Sequence, residues 1–212
     1  PYANRDPRLA MSILTNNVEF KDRTIEAWTG GRDGKGVIHA TRTGYYIYKF
    51  IDPNLDLLQN RTSVHHWVIM RYAEILLSYA EAMNEAYGPT GNVGYRLNAV
   101  RALNQVRNRV GVEMPAVPTA ISKEELREKI RNERRVELAF EDHRFWDVRR
   151  WMIAPETLGA PLRGVEITKI SDEEFEYKPI EVEKRTFEPK MYLYPIPQAD
   201  LNTTGWVQNP LW

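Results

Sequence analysis

From residue 64 to residue 87 the chain repeats apolar side chains at helical intervals and then stops on Gly88-Pro89, and no other segment restricts the fold as strongly. Val68, Tyr72, Ile75, Leu76, Tyr79, Met83 and Ala86 fall on one side of a predicted helix, with Glu74, Glu81 and Glu85 on other faces. Gly-Pro ends such a pattern because proline cannot continue the backbone ladder. A second helix is predicted from Tyr95 to Val110, turning Leu97, Val100, Leu103 and Val106 inward, with Gly111 as its C-terminal cap. The connector GPTGNVG is short, so the two helices fold back on each other as an antiparallel hairpin. Hairpins of this kind are the unit of tetratricopeptide-like arrays. One unit is visible here, so any array would continue in sequence outside these residues.

MPAVPTA (Met114–Ala120) reads as a linker. Ser122 then opens a third helix, with Glu125 placed three residues later to complete a capping box. That helix carries ERRVELAFEDHRFWDVRRW (Glu133–Trp151) and is expected to break near Asp142-His143, leaving a short helix to Trp151. Glu133, Glu137 and Glu141 follow one another at i,i+4 spacing. Paired carboxylates are the requirement of glycoside hydrolysis. Arg134, Arg135, Arg144, Arg149 and Arg150 surround them, however, and would hold them ionised where a general acid needs a raised pKa. Neighbours on one helix also point the same way instead of flanking a substrate. The stretch therefore reads as an ion-pair brace, with Phe140, Phe145, Trp146 and Trp151 packed as core and no catalytic residue.

Residues 1–62 are loop-rich with short strands: TGGRDGKG (Thr29–Gly36) is turn-forming, and GYYIYKFIDP (Gly44–Pro53) has strand composition. Weak strand signals recur at VEITKI and MYLY, and the proline-studded end, LYPIPQADLNTTGWVQNPLW, reads as extended. The fold class is mostly α, a helical hairpin plus irregular loop-rich segments and a few short strands. Residues 1–212 show no internal domain boundary.

Composition removes several functional classes. Twenty-nine basic side chains balance twenty-nine acidic ones, which offers no electrostatic footprint for nucleic acid. The absence of cysteine excludes disulfides, thiolate catalysis and cysteine-based zinc sites. His65-His66 diverge as neighbours and lack an HExxH frame, and no EF-hand loop is present, so neither a metal site nor a cofactor is expected. TGGRDGKG lacks P-loop spacing, since Lys35 is followed by Gly36. No apolar run reaches the roughly 18 residues that a membrane helix needs. The chain opens PYANRDPRL without a Met and is read as a fragment or processed product.

Taken in order, RDPRL (Arg5–Leu9), GYYIYKF (Gly44–Phe50), RYAEILLSYAEAMNE (Arg71–Glu85), LNAVRALNQVRNRVG (Leu97–Gly111), ERRVELAFEDHRFWDVRRW and the tail LYPIP…QNPLW resemble the C-terminal part of the SusD/RagB family of outer-membrane nutrient-binding lipoproteins. Leu211 stands where the family commonly has Gly before the final Trp. The resemblance implies a SusD-like, non-catalytic, mostly α-helical protein with tetratricopeptide-type helix pairs. It further implies a lipid anchor on the absent N-terminal part, the extracellular face of the outer membrane, an oligosaccharide or polysaccharide ligand, and a SusC-like TonB-dependent transporter as partner.

Those motifs are scaffold, so ligand contacts are expected from aromatics in variable loops. Trp28, in EAWTGGRDGKG, has little local apolar sequence to pack on, and a sugar's C–H face stacks on an indole. Arg32 and Asp33 stand nearby to bind hydroxyls, and Tyr45 and Tyr46 alternate so that one faces outward. The rival readings are a protein-interaction scaffold or peptide-binding module docking on the transporter, and a hydrolase using Glu133, Glu137 or Glu141.

Overall fold

The computed structural model describes residues 2–212. α1 (Arg8–Ser12) leads directly into β1 (Ile13–Leu14), and β2 (Glu19–Phe20) and β3 (Arg23–Thr24) form a tight antiparallel pair. β4 (Tyr46–Ile47) returns to pair antiparallel with β1 in the register Ile13↔Ile47 and Leu14↔Tyr46. The strand predicted over Gly44–Pro53 is confined to those two residues. Beyond them the amides of Tyr48 and Lys49 both turn to the Ser12 carbonyl, and Phe50 takes a positive φ of 72°.

The helical half follows. α2 (Tyr72–Tyr87) packs against α3 (Ala99–Arg107) and α4 (Lys123–Glu137). α2 begins at Tyr72 and not at residue 64, because Arg71 is held in an extended conformation (φ −143°, ψ 160°) by carboxylates of the α4 end. Its buried face is Leu76, Leu77, Ala80, Met83 and Asn84, while Tyr72 and Ile75, expected inward, are exposed. α3 starts on Asn98, whose side chain accepts the Arg101 amide at 2.9 Å, and buries Val100, Leu103 and Val106 as expected. It ends at Arg107, short of Val110, because the Arg107 carbonyl accepts the Met114 amide; Gly111 lies in the following turn.

The capping box of α4 is present in both directions between Ser122 and Glu125. The predicted break is real: Asp142 adopts φ 62°, and α5 (His143–Arg150) starts after it. α6 (Ala154–Thr157) leads to the longest strand pair, β5 (Leu162–Lys169) and β6 (Phe175–Glu183), antiparallel with Ile167 opposite Tyr177. VEITKI falls within β5. β6 escapes sequence reading because Pro179 interrupts its pattern; as an edge strand it tolerates the missing donor. MYLY is not a strand: Pro189–Tyr192 is a 3-10 turn. The tail is not wholly extended, since α7 (Gln198–Thr204) forms after Pro197 and ends on Gly205.

Two apolar clusters result. One gathers Leu77, Leu103, Leu126, Ile130 and Leu138 among α2, α3 and α4; the other gathers Leu14, Ile25, Ala27 and Ile167 with Trp28, Tyr46, Phe175 and Tyr177 around the strands. The β5–β6 hairpin reaches the second cluster by crossing the chain at Thr43-Gly44, where the Val165 amide donates to the Thr43 carbonyl at 2.9 Å. A Cβ at Gly164 would stand 2.7 Å from Thr43 Cα, and one at Gly44 would stand 2.7 Å from the Val165 carbonyl oxygen. Gly164→Ala is expected to lower stability by about 1–3 kcal/mol, read as the denaturant midpoint, because backbone has to move. An unchanged midpoint would show that this crossing is loose.

Candidate functional site

The glutamates that a hydrolase would need sit at the seam between the two clusters. Glu137, with none of its side chain exposed, takes Arg8 Nη1 on Oε2 at 2.8 Å and Arg71 Nη1 on Oε1 at 2.6 Å, with Arg109 Nη1 at 2.5 Å from the same Oε1. Arg8 Nη1 also donates to Glu133 Oε1 at 2.6 Å, and Arg107 Nη1 donates to Glu133 Oε2 at 2.6 Å. Glu141 accepts Arg71 Nε at 2.6 Å and Nη2 at 2.9 Å, and Lys49 Nζ at 2.6 Å. Lys49 Nζ donates in addition to the carbonyl of Ala139 at 3.0 Å, closing the end of α4. Burial pushes the carboxyls of Glu137 and Glu141 up, but their cationic neighbours outweigh it and hold both below the usual carboxylate range. A general acid must keep its proton near neutral pH, and these groups are held ionised. The geometry supports the brace.

A second brace ties α5 to α2. Arg150 grips Glu81 through two nitrogens, at 2.5 and 2.6 Å, and Trp151 Nε1 donates to the same carboxylate at 2.8 Å. Arg134 Nε meets Asp147 at 2.8 Å. Arg149 is different in kind: its guanidinium lies over the rings of Phe145, Phe187 and Tyr194, between 4.9 and 5.5 Å from their centroids, and donates to the Tyr192 carbonyl. Of the aromatics expected in the core here, Trp151 is half-buried. Phe140, Phe145 and Trp146 are 40%, 36% and 59% exposed, because α5 is short and the chain passes through left-handed backbone at both Phe140 (φ 63°) and Asp142 (φ 62°) between α4 and α5.

The sequence-predicted ligand residues are partly brought together. Trp28 is half-buried and has an apolar partner that local sequence hid: Phe175 of β6, at a centroid distance of 5.4 Å. Lys169 Nζ stands 5.1 Å from its ring. Asp33 is committed to the loop: it takes Arg23 bidentately at 2.6 and 2.8 Å and accepts the Glu26 amide at 2.9 Å. Tyr46 joins the same neighbourhood, its hydroxyl donating to the Asp33 carbonyl at 2.8 Å and accepting the Thr41 amide at 3.2 Å. Arg32 remains largely exposed on the Trp28 loop, 3.6 Å from Glu26. Tyr45 faces elsewhere, edge-on to Tyr2 at 6.2 Å. Lys169 and Phe175 were missed because they come from a hairpin far along the chain.

A family model described as the SusD family matches residues 1–212. The chain belongs to the SusD family. A SusD-like protein of Bacteroides fragilis is 32% identical and superimposes with a TM-score of 0.81 over 100% of this chain and 40% of its own length. A SusD-like carbohydrate binding protein of the same species is also 32% identical, with a TM-score of 0.75 over 94% of this chain and 41% of its own. The SusD-like protein P2 of Formosa agariphila is 34% identical over 120 residues, which are 54% of this chain and 22% of the relative. The chain thus spans well under half the length of these relatives. The SusD-family match runs through both apolar clusters and the seam between them.

Removal of Glu137 deletes the buried carboxylate shared by Arg8, Arg71 and Arg109 and leaves their cluster with excess positive charge, so Glu137→Ala is expected to cost about 3–5 kcal/mol in chemical denaturation. Glu128→Ala, at an exposed pair with Arg131, should stay within about 0.5 kcal/mol. The acid response follows from Glu137, Glu141 and Glu81, all held below their ordinary values in the folded state. The unfolded value is about 4.3, so their stabilisation is complete above that pH and is lost as pH falls through the depressed folded values. Thermal unfolding should show a flat Tm down to about pH 5 and a progressive fall below about pH 4. A Tm that held constant to lower pH would mean that the seam contributes little.

Proposed function

We propose that this chain is part of a non-catalytic glycan-capture protein of an outer-membrane nutrient uptake complex. The observation that carries the reading is the match, over 94% of the chain, to a SusD-like carbohydrate binding protein. The Trp28 loop supports it. A half-buried indole resting on Phe175 is a rigid platform for a sugar ring, with Arg32, Glu26 and Lys169 at hand for hydroxyls. Asp33 and Tyr46 act behind it, by fixing the loop. The carboxylates that could have argued for hydrolysis are bound up in the seam.

The ligand is an oligosaccharide or polysaccharide, held at modest affinity so that it can be passed to a SusC-like TonB-dependent transporter. Among the described residues no helix is long and apolar enough to cross a membrane. The reading places the protein on the outer face of the outer membrane, held there by a lipid anchor. The α2–α3 hairpin serves as a tetratricopeptide-type unit of a larger helical array. A second reading, a scaffold or peptide-binding module docking on the transporter, draws on the exposed apolar run Val64, Trp67, Ile69, Met70 and Tyr72.

Calorimetric titration against a panel of soluble neutral and acidic glycans separates the two. Capture predicts binding that Trp28→Ala weakens by about tenfold or more while the fold is retained. Binding that survives Trp28→Ala displaces the platform, and no binding to any glycan favours docking.

A further inference from the structure

The arginines of the stretch 133–151 do not share one fate. Arg134 and Arg150 are bound to carboxylates, and Arg149 is enclosed by rings and a carbonyl. Arg144 is left over. It is half-buried, yet among the described residues its guanidinium makes no ion pair, hydrogen bond or ring contact. Burial and the nearby charge of Arg135, itself exposed, both disfavour its charged form, and Asp147 offsets them only in part. A partly desolvated, unpaired guanidinium beside a second cation is costly to keep, and a bound anion relieves both penalties.

The surroundings specify more than an anion. Arg144 lines a groove of about 510 Å³ with Leu138, Phe140, Asp142, Phe145 and Trp146. That size is within the range of small-molecule sites, about 300–1,000 Å³. Trp146 meets Phe145 edge-on at 5.1 Å, so its indole is braced while 59% of the residue stays open. An indole face for a pyranose ring, a planar fork for a carboxylate or sulfate, and the Asp142 carboxylate as acceptor for ring hydroxyls occur together here.

We infer that the groove at the α4–α5 elbow, built on Arg144, Trp146 and Asp142, is a subsite for an acidic sugar, one that carries a carboxylate or a sulfate. This rests on the glycan-capture reading and adds a charge preference to it. The subsite is separate from the Trp28 platform, which belongs to the strand cluster.

The test titrates the protein with trigalacturonate and with its methyl ester, which keeps the rings and removes the charge, using wild type, Trp28→Ala and Arg144→Gln. Wild type should bind the acid about tenfold more tightly than the ester at low salt, a charge-assisted paired hydrogen bond being of that order. Arg144→Gln should abolish that preference and leave ester affinity unchanged. A sulfated disaccharide in parallel tells whether sulfate serves as well as carboxylate. Should Arg144→Gln fold poorly, indole fluorescence in the Trp28→Ala background gives a second readout: trigalacturonate should change the signal of that variant, and adding Trp146→Phe should remove the change. A persistent change in the Trp28→Ala/Trp146→Phe double variant, or an acid preference intact in Arg144→Gln, overturns the subsite while glycan capture stands. Binding of a neutral glycan of the panel without any binding of trigalacturonate overturns the subsite alone, and absence of binding across the whole panel overturns capture itself. Binding of polyglutamate without either sugar overturns the sugar assignment and makes the groove a protein-docking surface.

Discussion

The joint made by Glu137 holds the molecule together. One carboxylate with no exposed surface receives guanidinium groups from α1, from the entry to α2 and from the turn after α3, so a single residue fixes the mutual position of three segments. Glu133 and Glu141, one turn either side, extend the joint to Arg107 and Lys49. Such a cluster is stable only if complete. Its cations satisfy one another's partners, and loss of any member strands a charge in a low-dielectric site. The apolar clusters contribute the bulk of the folding free energy, and this seam adds charged ties between the segments that carry them.

That architecture also separates bracing from binding. The carboxylates are consumed by the seam, which leaves the aromatics at the periphery as the groups able to meet a ligand. Trp28 stands on the strand cluster and Trp146 on the elbow after α4. Both are supported by another ring from below or beside, so little side-chain entropy remains to be lost on contact.

Local signals were legible and remote ones were not. The Ser122–Glu125 capping box, the hairpin and the break at Asp142 depend on residues a few positions apart, and each can be read from the string. The density of charge after Glu133 announced a brace, but not that its chief cation would be Arg8, 125 residues earlier. The same distance effect misjudged Trp28, whose supporting Phe175 lies on a strand disguised by Pro179. Phe140, Phe145 and Trp146 were misplaced in the core for the opposite reason. Their apolar character is visible, whereas the left-handed backbone at Phe140 and Asp142 that turns the chain there is a conformation that composition does not reveal.

The enclosure of Arg149 gives the chain a fastening of another sort. The segment around Phe187, Tyr192 and Tyr194 is tied to α5 by ring faces and a carbonyl, without a carboxylate. Attraction between a guanidinium and a ring quadrupole does not depend on a titrating partner, and enclosure limits its screening by salt. In acid the seam at Glu137 therefore loosens first, while the C-terminal segment stays on α5. The two halves of the molecule are thus expected to part at their ionic hinge before the tail peels away.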